Sequence, residues 1–481
     1  MDSHSDGTPK RRFVVDNIHG DIELTELEWR VVNTASFQRL RSLKQLGMGH
    51  LVYPNATHTR FAHSIGVLGI MRRIVKKIKE SKMRYRKKDL ENLCLAALLH
   101  DIGHYPYSHL MERIDYVTLT EEEITDTQKH KAKFNIPKYP DHGTLGQHIL
   151  LQQDDIKEVL GGEDRAKEIG AMFSRTEAAH PQLSKLIHSS LDMDRLDYLI
   201  RDARAAGVPY GEIDINYILN NIRISPKRVL GLKYKSLAAA EHFLLARLFM
   251  YRVVYYHKTI FGFEEACRQL LRRIRDQRKY EIPQDGKAVE EICSSKSKIT
   301  SFTDDFVDRI IREAACDDSD LVIQTLAKCI TSRRPPKLLV EVSGLQDKSD
   351  NDNPCAFFRS KCKEKIKSLA DKYDIPLGLF LICAPKPIKI EERRPLLTRD
   401  EAMRLKLEER EELIKIFDKD SNEPKSIIDI NNTIVKHLSG HLYGIQRLYL
   451  VDLSPNANKK ISKIKSEVQK WIKPSNVNES Q

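Results

Sequence analysis

Apolar and polar positions along the chain follow two different periods, and the switch between them divides it. Phe13 to Leu24 (FVVDNIHGDIEL) reads as strand, turn, strand, with His19-Gly20 at the turn. From there to about Tyr280 a helical period dominates. Leu24 to Leu46 reads as an amphipathic helix, and Gly47 to Asn55 as a loop. Thr57 or Thr59 then caps a helix whose apolar stripe is Phe61, Ile65, Leu68, Ile74 and Ile78. Lys87 to His100 is apolar all round in its last two turns, the mark of a buried helix. Glu112 to Tyr139 is polar and reads as a surface excursion. Helical pattern returns over Gly143 to Leu160 and over Pro181 to Ala206, with Gly207 as the stop. Ser225 to Tyr234 reads as a hairpin around Gly231, and Leu237 to about Tyr280 as the longest helix.

Beyond Ser294 to Thr303, a linker followed by helices, the character changes. Lys337 to Val342, Gly378 to Cys383 and Arg447 to Leu453 are β-rich runs, and a Lys-rich amphipathic helix (KKISKIKSEVQKWIK) ends the pattern. The expected fold class is therefore mainly α. A disordered tail at 1–12 precedes a helical core over 13–293 that starts with short strands. Helices over 294–333 follow, then a smaller α+β domain over 334–481. The lysines from Lys459 to Lys473 read as a solvated helix face rather than a nucleic-acid arm.

Composition narrows the classes. In 481 residues, 41% are hydrophobic and 31% charged, enough for a core and unlike a disordered chain. No apolar run approaches the roughly 18 residues of a membrane span, and the first residues lack a signal-peptide core, so a soluble cytoplasmic protein is expected. Eight scattered cysteines without a C-x-x-C pair exclude a disulfide framework and a zinc ribbon. Lys and Arg number 80 against 68 Asp and Glu, and the net +12 favours anionic partners such as nucleotides or nucleic acid.

The strongest chemical signal is His100-Asp101 at the end of the buried helix, followed by His104 and His109. Ionisable groups beside an apolar helix need compensation, and a divalent metal supplies it. Two other segments carry matching groups. His63 lies near the start of its helix. Asp194, Tyr198 and Asp202 fall at i, i+4 and i+8, one face of a leucine-rich helix. Asp197 and Arg201 of that helix read instead as a solvated charged face. His63, His100, Asp101 and Asp194 make a two-His, two-carboxylate set suited to Mn, Fe, Zn, Co or Mg. By spacing alone, Arg247, Tyr251, Tyr255 and Lys258 share one face of the long helix.

The order His, His-Asp, Asp, with GHxPxSH after the pair, resembles the HD-domain metal-dependent phosphohydrolases. The segments DNIHGDIEL, FQRLRSLKQLGMG, HTRFAHSIGV, LLHDIGHYPYSH, DMDRLDYLIRDA and RVVYYHK are similar, in order, to the deoxynucleoside triphosphate triphosphohydrolase branch. That resemblance implies metal ligands at His63, His100, Asp101 and Asp194. It places Arg60, His104, His109, His142, Arg195 and Lys258 around the phosphates. Gln45, Leu46, Tyr198, Asp202 and Tyr255 fall at the sugar, with Tyr198 and Asp202 addressing the 3′-OH and Tyr255 crowding a 2′-OH.

The implied reaction is attack of metal-activated water on the α-phosphorus. His109 protonates the leaving group, assisted by His104 and His142, and deoxynucleoside and inorganic triphosphate are released. A phosphodiesterase or nuclease acting on cyclic or single-stranded nucleotides is the alternative on the same scaffold. The implied partners are a nucleoside triphosphate, single-stranded nucleic acid under the alternative, no membrane, and further copies of the chain in a homo-oligomer. Three departures stand out. Gly143 replaces the glutamate that follows the histidine matching His142, so that carboxylate is either missing or supplied by another group such as Glu112. Asn33 stands where activator-regulated relatives have an aspartate that reads guanine, so guanine-nucleotide regulation does not carry over. No SAM domain precedes the similar region, which starts about a dozen residues in.

Overall fold

The computed structural model describes residues 11–80, 85–115, 139–174, 178–225, 229–347, 354–383, 388–389, 413–418, 423–439 and 441–471. The calls on the N-terminal tail, most of the polar excursion after Glu112 and the last lysine lie outside them. Strands β1 (Arg12–Asp16) and β2 (Gly20–Leu24) pair antiparallel, with Asp16 opposite Gly20. The Asp16 carboxylate closes the turn by accepting the Ile18 and His19 amides at 2.9 and 2.8 Å.

The single helix expected over Leu24 to Leu46 is broken. Helix α1 (Glu26–Val32) starts at a Thr25–Glu28 capping box and ends at Asn33. Thr34 then caps a second short turn, Ala35–Gln38, because its hydroxyl offers the backbone an alternative to continued helix. Helix α2 (Arg60–Glu80) starts where the Thr59 hydroxyl accepts the Ala62 amide, and all five residues of its expected stripe are buried. Helix α3 (Lys87–Leu99) is buried from Leu93 through Leu99 and packs on α2. The expected Gly143 to Leu160 helix divides at Gln153 into α4 (His142–Gln152) and Asp154–Leu160.

The Pro181 to Ala206 pattern yields only a short turn, Pro181–Ser184, and then α5 (Met193–Ala206). Asp192 caps α5, and Gly207 ends it at φ +68°. The hairpin exists as Ile222–Ile224 with Leu230–Lys233, but Gly231 sits inside a strand opposite Arg223, and the turn falls earlier, where Ser225 bonds Val229. The longest expected helix is interrupted. Helix α6 (Leu237–Met250) runs into a π turn, Tyr251–Tyr255, and α7 (Lys258–Asp276) starts anew, capped by the His257 side chain. Lys258 therefore leaves the face shared by Arg247, Tyr251 and Tyr255.

The helix Leu321–Thr331 packs on α7, and helix α8 (Asp304–Asp317) packs in turn on Leu321–Thr331. The rest is α+β. The long strand His441–Leu450 lies between Lys337–Asp347 and Phe380–Cys383, with helices Pro354–Tyr373 and Ala457–Gln469 against that sheet. Strand Lys415–Phe417 pairs in parallel with Leu230–Lys233, so one small sheet takes strands from widely separated stretches of chain. The fold is thus a mainly helical core with short N-terminal strands and a smaller α+β region behind it. No helix among the described residues is long and apolar enough to cross a membrane, and the described cysteines are free thiols.

One close approach positions the site. Gly103, just after the His100-Asp101 pair, meets the first turn of α4 so closely that a Cβ there would lie 2.1 Å from the His142 carbonyl oxygen and 2.3 Å from the Gly146 nitrogen. Both are backbone atoms and cannot swing aside. Gly103→Ala is expected to destabilise the fold by about 3 kcal/mol or more. Gly344→Ala, whose Cβ meets nothing within 4 Å, should stay within about 0.5 kcal/mol of wild type in the same denaturant titration.

Candidate functional site

Three elements bring the expected ligand set together. His63 projects from the first turn of α2, His100 and Asp101 follow the end of α3, and Asp194 sits in the first turn of α5. His63, His100 and Asp101 offer ligand atoms within 4.8 Å of one another. The Asp194 Oδ1 lies 2.9 Å from His63 Nε2 and 3.7 Å from His100 Nε2.

The tautomers suit a cation. His100 Nδ1 faces the Ala97 carbonyl at 2.8 Å and so carries the proton, leaving Nε2 to point inward. That Nε2 is buried and, among the described residues, has no hydrogen-bond partner. His63 Nδ1 is held by the Asp197 carboxylate at 2.7 Å, the arrangement that orients a ligating imidazole and makes it more basic. Burial opposes charge on His63, but Asp194 and Asp197 outweigh it and push the imidazole up to about 10. Burial opposes charge on Asp101 too, and His100 and Arg60 overcome it, holding the carboxyl well below its usual range. The pocket therefore stabilises positive charge between carboxylates, and these residues fit a divalent cation.

Asp197 and Arg201 correct the expectation of a solvated face, since both are buried. Asp197 accepts from His63, from His19 at 2.6 Å and from both Arg201 Nε and Nη2, while Arg201 Nη1 donates to Asp16 at 2.9 Å. The turn of the N-terminal hairpin is thus fastened to the back of the ligand set. Gly66 makes room, because a Cβ there would lie 2.1 Å from an Asp197 oxygen.

A second cluster lies beside the first. His104 stacks on His142 with centroids 4.2 Å apart, and His109 stands edge-on to both. Asp101 links the clusters, its Oδ1 lying 3.2 Å from His104 Nε2. Glu112 accepts from His109 at 2.5 Å and from His142 Nδ1 at 3.1 Å, so it supplies the carboxylate that Gly143 lacks. Burial lowers His142, but Glu112 prevails and holds it above its ordinary value. Burial and then Arg60 hold His104 well below. Arg60 itself donates to Asp101 at 2.8 Å and to Ser108.

The loop bearing these histidines is strained. Tyr107 and Ser108 both have positive φ, 52° and 56°, a conformation that persists only when its surroundings enforce it. Asp304 enforces it by accepting the Tyr107 amide at 2.8 Å and the Lys44 amide at 2.9 Å, while Asp308 accepts the Tyr107 hydroxyl.

The third group lies further along α5. Tyr255 donates to Asp202 at 2.8 Å, and His58, which had no expected role, holds the other Asp202 oxygen at 2.7 Å. Tyr198 packs edge-on to Tyr255, Tyr251 packs on Tyr255, and the Arg247 guanidinium lies over Tyr251. The Gln45 backbone N–H donates to the His58 carbonyl, with Leu46 next to it. Arg195 lies near Asp192, 3.7 Å away, one residue from Asp194. Lys258 is exposed on the first turn of α7, and Asn33 is an exposed helix end whose side chain bonds the Trp29 carbonyl.

Asp197→Asn tests the hub. Losing the charge leaves buried Arg201 with Asp16 but without the carboxylate that two of its nitrogens hold, and the expected loss of stability is about 3 kcal/mol by denaturant titration. Metal affinity by calorimetry should fall about 10–100-fold, because His63 loses its orienting partner.

Comparison with known proteins agrees with this geometry. The HD domain family matches residues 60–202, and the HD associated region matches residues 213–425. An uncharacterized protein of Methanocaldococcus jannaschii is 34% identical over 252 residues, 52% of this chain and 47% of that protein. One from Bacillus subtilis is 30% identical over 263 residues, 54% and 55% of the two chains. The deoxynucleoside triphosphate triphosphohydrolase SAMHD1 of Bos taurus is 30% identical over 212 residues, 41% of this chain and 36% of that enzyme. The chain thus spans about half the length of the first two relatives and less of the third. Among solved structures, a phosphohydrolase from Bacteroides thetaiotaomicron superposes with a TM-score of 0.66 at 22% identity, over 92% of this chain and 100% of that one, and shares the fold. With the HD pair in a buried cluster of ligand-type side chains and two adjoining matches that cover most of the sequence, the chain carries an HD domain followed by the HD associated region.

Proposed function

We propose that the chain hydrolyses deoxynucleoside triphosphates to deoxynucleoside and inorganic triphosphate in a metal-dependent reaction. One observation carries this reading: α5 bears both Asp194, within the ligand set, and Asp202, bonded to Tyr255 two turns further on. Eight residues of helix span about 12 Å, the order of reach from a phosphate at the first position to a sugar hydroxyl at the second. Similarity to the vertebrate triphosphohydrolase supports the same substrate class.

When bound by His63, His100, Asp101 and Asp194, a divalent cation supplies positive charge at the phosphate and lowers the pKa of water. The chain's own residues do the rest. Arg195, Arg247 and Lys258 offer cations to a triphosphate, which carries several negative charges. His109 stands at the leaving group as proton donor, and Glu112 joins it to His142, which holds its proton more tightly than an ordinary imidazole. Tyr198 and Asp202 address the 3′-OH, and the Tyr255 ring crowds a 2′-OH.

Each dNTP incubated with Mn or Mg should release inorganic triphosphate on ion-pair chromatography, and a chelator should abolish turnover. Pyrophosphate with monophosphate as products would reject the reading. Metal-dependent cleavage of a labelled oligonucleotide with no dNTP turnover would point to the phosphodiesterase class instead. Glu112→Gln and His109→Ala should each lower kcat about 10²–10⁴-fold with little change in KM, measured under saturating metal.

A further inference from the structure

We infer that His58 is a positioning residue that sets discrimination for a sugar hydroxyl, an inference that rests on the triphosphohydrolase reading above. Asp202 is buried, and each of its oxygens already accepts one hydrogen bond: from Tyr255 on one side and from His58 Nε2, at 2.7 Å, on the other. A carboxylate is acceptor-only when ionised, and each oxygen keeps a further lone pair. Held this way, Asp202 has its orientation fixed from two sides and accepts only a group that brings its own O–H or N–H. A 3′-hydroxyl qualifies, and a 3′-hydrogen does not.

The backbone around His58 shows why it, and no neighbour, holds this place. Lys44 and Thr59 form an isolated antiparallel bridge, which ties Gln45 to His58 through the Gln45 amide and His58 carbonyl at 2.9 Å. The imidazole is therefore anchored through its own main chain to the stretch that carries Gln45. Two buried polar atoms in this pair, His58 Nδ1 and Gln45 Oε1, meet no hydrogen-bond partner among the described residues. Buried polar groups are nearly always satisfied, so two such orphans, one of them on the ring that holds Asp202, mark a place where a polar ligand group belongs. A histidine kept only for packing would leave neither the bond to Asp202 nor these open valences beside it.

The test compares each dNTP with its 2′,3′-dideoxy counterpart, which lacks the 3′-hydroxyl, as a ratio of kcat/KM. Wild type should prefer the dNTP at least about tenfold, the worth of a hydrogen bond to a charged acceptor. His58→Asn, whose amide is too short to reach Asp202, should bring the ratio close to one, mainly through a raised KM for the dNTP. His58→Gln, whose Nε2 can still donate to Asp202, should restore most of the preference. Thermal melts of both variants establish that they fold. Equal losses on both substrates, with the ratio unmoved, would show a merely structural role and overturn the inference. Turnover of no dNTP by the wild-type chain would overturn the substrate reading itself, a distinct result, and the inference would go with it.

Discussion

The interaction on which the rest depends is a carboxylate with four donors. Asp197 takes hydrogen bonds from buried His63, from half-buried His19 and twice from buried Arg201. Removing ions from water is unfavourable, and such a cluster persists only when every partner is supplied. Burial raises the Asp197 carboxyl, but Arg201 and the two imidazoles more than reverse this and hold it well below its ordinary range. A group depressed in this way stabilises the fold above its unfolded pKa and loses that contribution as pH falls through its folded one. The same carboxylate that fastens hairpin to helix also fixes which nitrogen of His63 faces the ligand set. Stability and chemistry thus share one side chain.

Around that hub the chain accepts local irregularity where the site needs it. The π turn at Tyr251–Tyr255 interrupts what is otherwise strong helical sequence and ends α6 just as its aromatic rings reach Tyr198 and Asp202. Such turns are rare and concentrate at functional positions. The left-handed residues Tyr107 and Ser108 bend the loop so that His104 and His109 stand on one side, stacked edge-on at 5.1 Å. Arg60 bridges Asp101 to Ser108 at the base of this bend, so the ligand set and the histidine cluster are joined by a charged hydrogen-bond chain.

Legibility followed the strength of the local signal. The stripe of α2 and the buried α3 were readable because apolar periodicity reports directly on burial. The convergence of His63, His100, Asp101 and Asp194 was readable because ionisable groups at the end of an apolar helix demand compensation. Asp197 and Arg201 were not, since a helical period reports charge and position but not the counter-charges that another segment brings. For Arg201 the counter-charge is Asp16, and for Asp197 a further hydrogen-bond partner is His19, 178 residues away in sequence. The break before Lys258 had no glycine or proline to announce it and arises from the Tyr256 amide reaching back to the Tyr251 carbonyl. His58 carries no periodic signal at all, and only the arrival of Asp202 from a distant helix gives it meaning.

The two-pronged grip of Asp304 has an evolutionary corollary. This carboxylate, from a helix in the stretch that matches the associated region, holds the amides of both Tyr107 and Lys44. Recombination that swapped the back half of such a protein for another would leave two main-chain donors orphaned inside the working half. Divergence in this lineage is therefore constrained to proceed by change in place, with both stretches inherited as one heirloom rather than traded as modules.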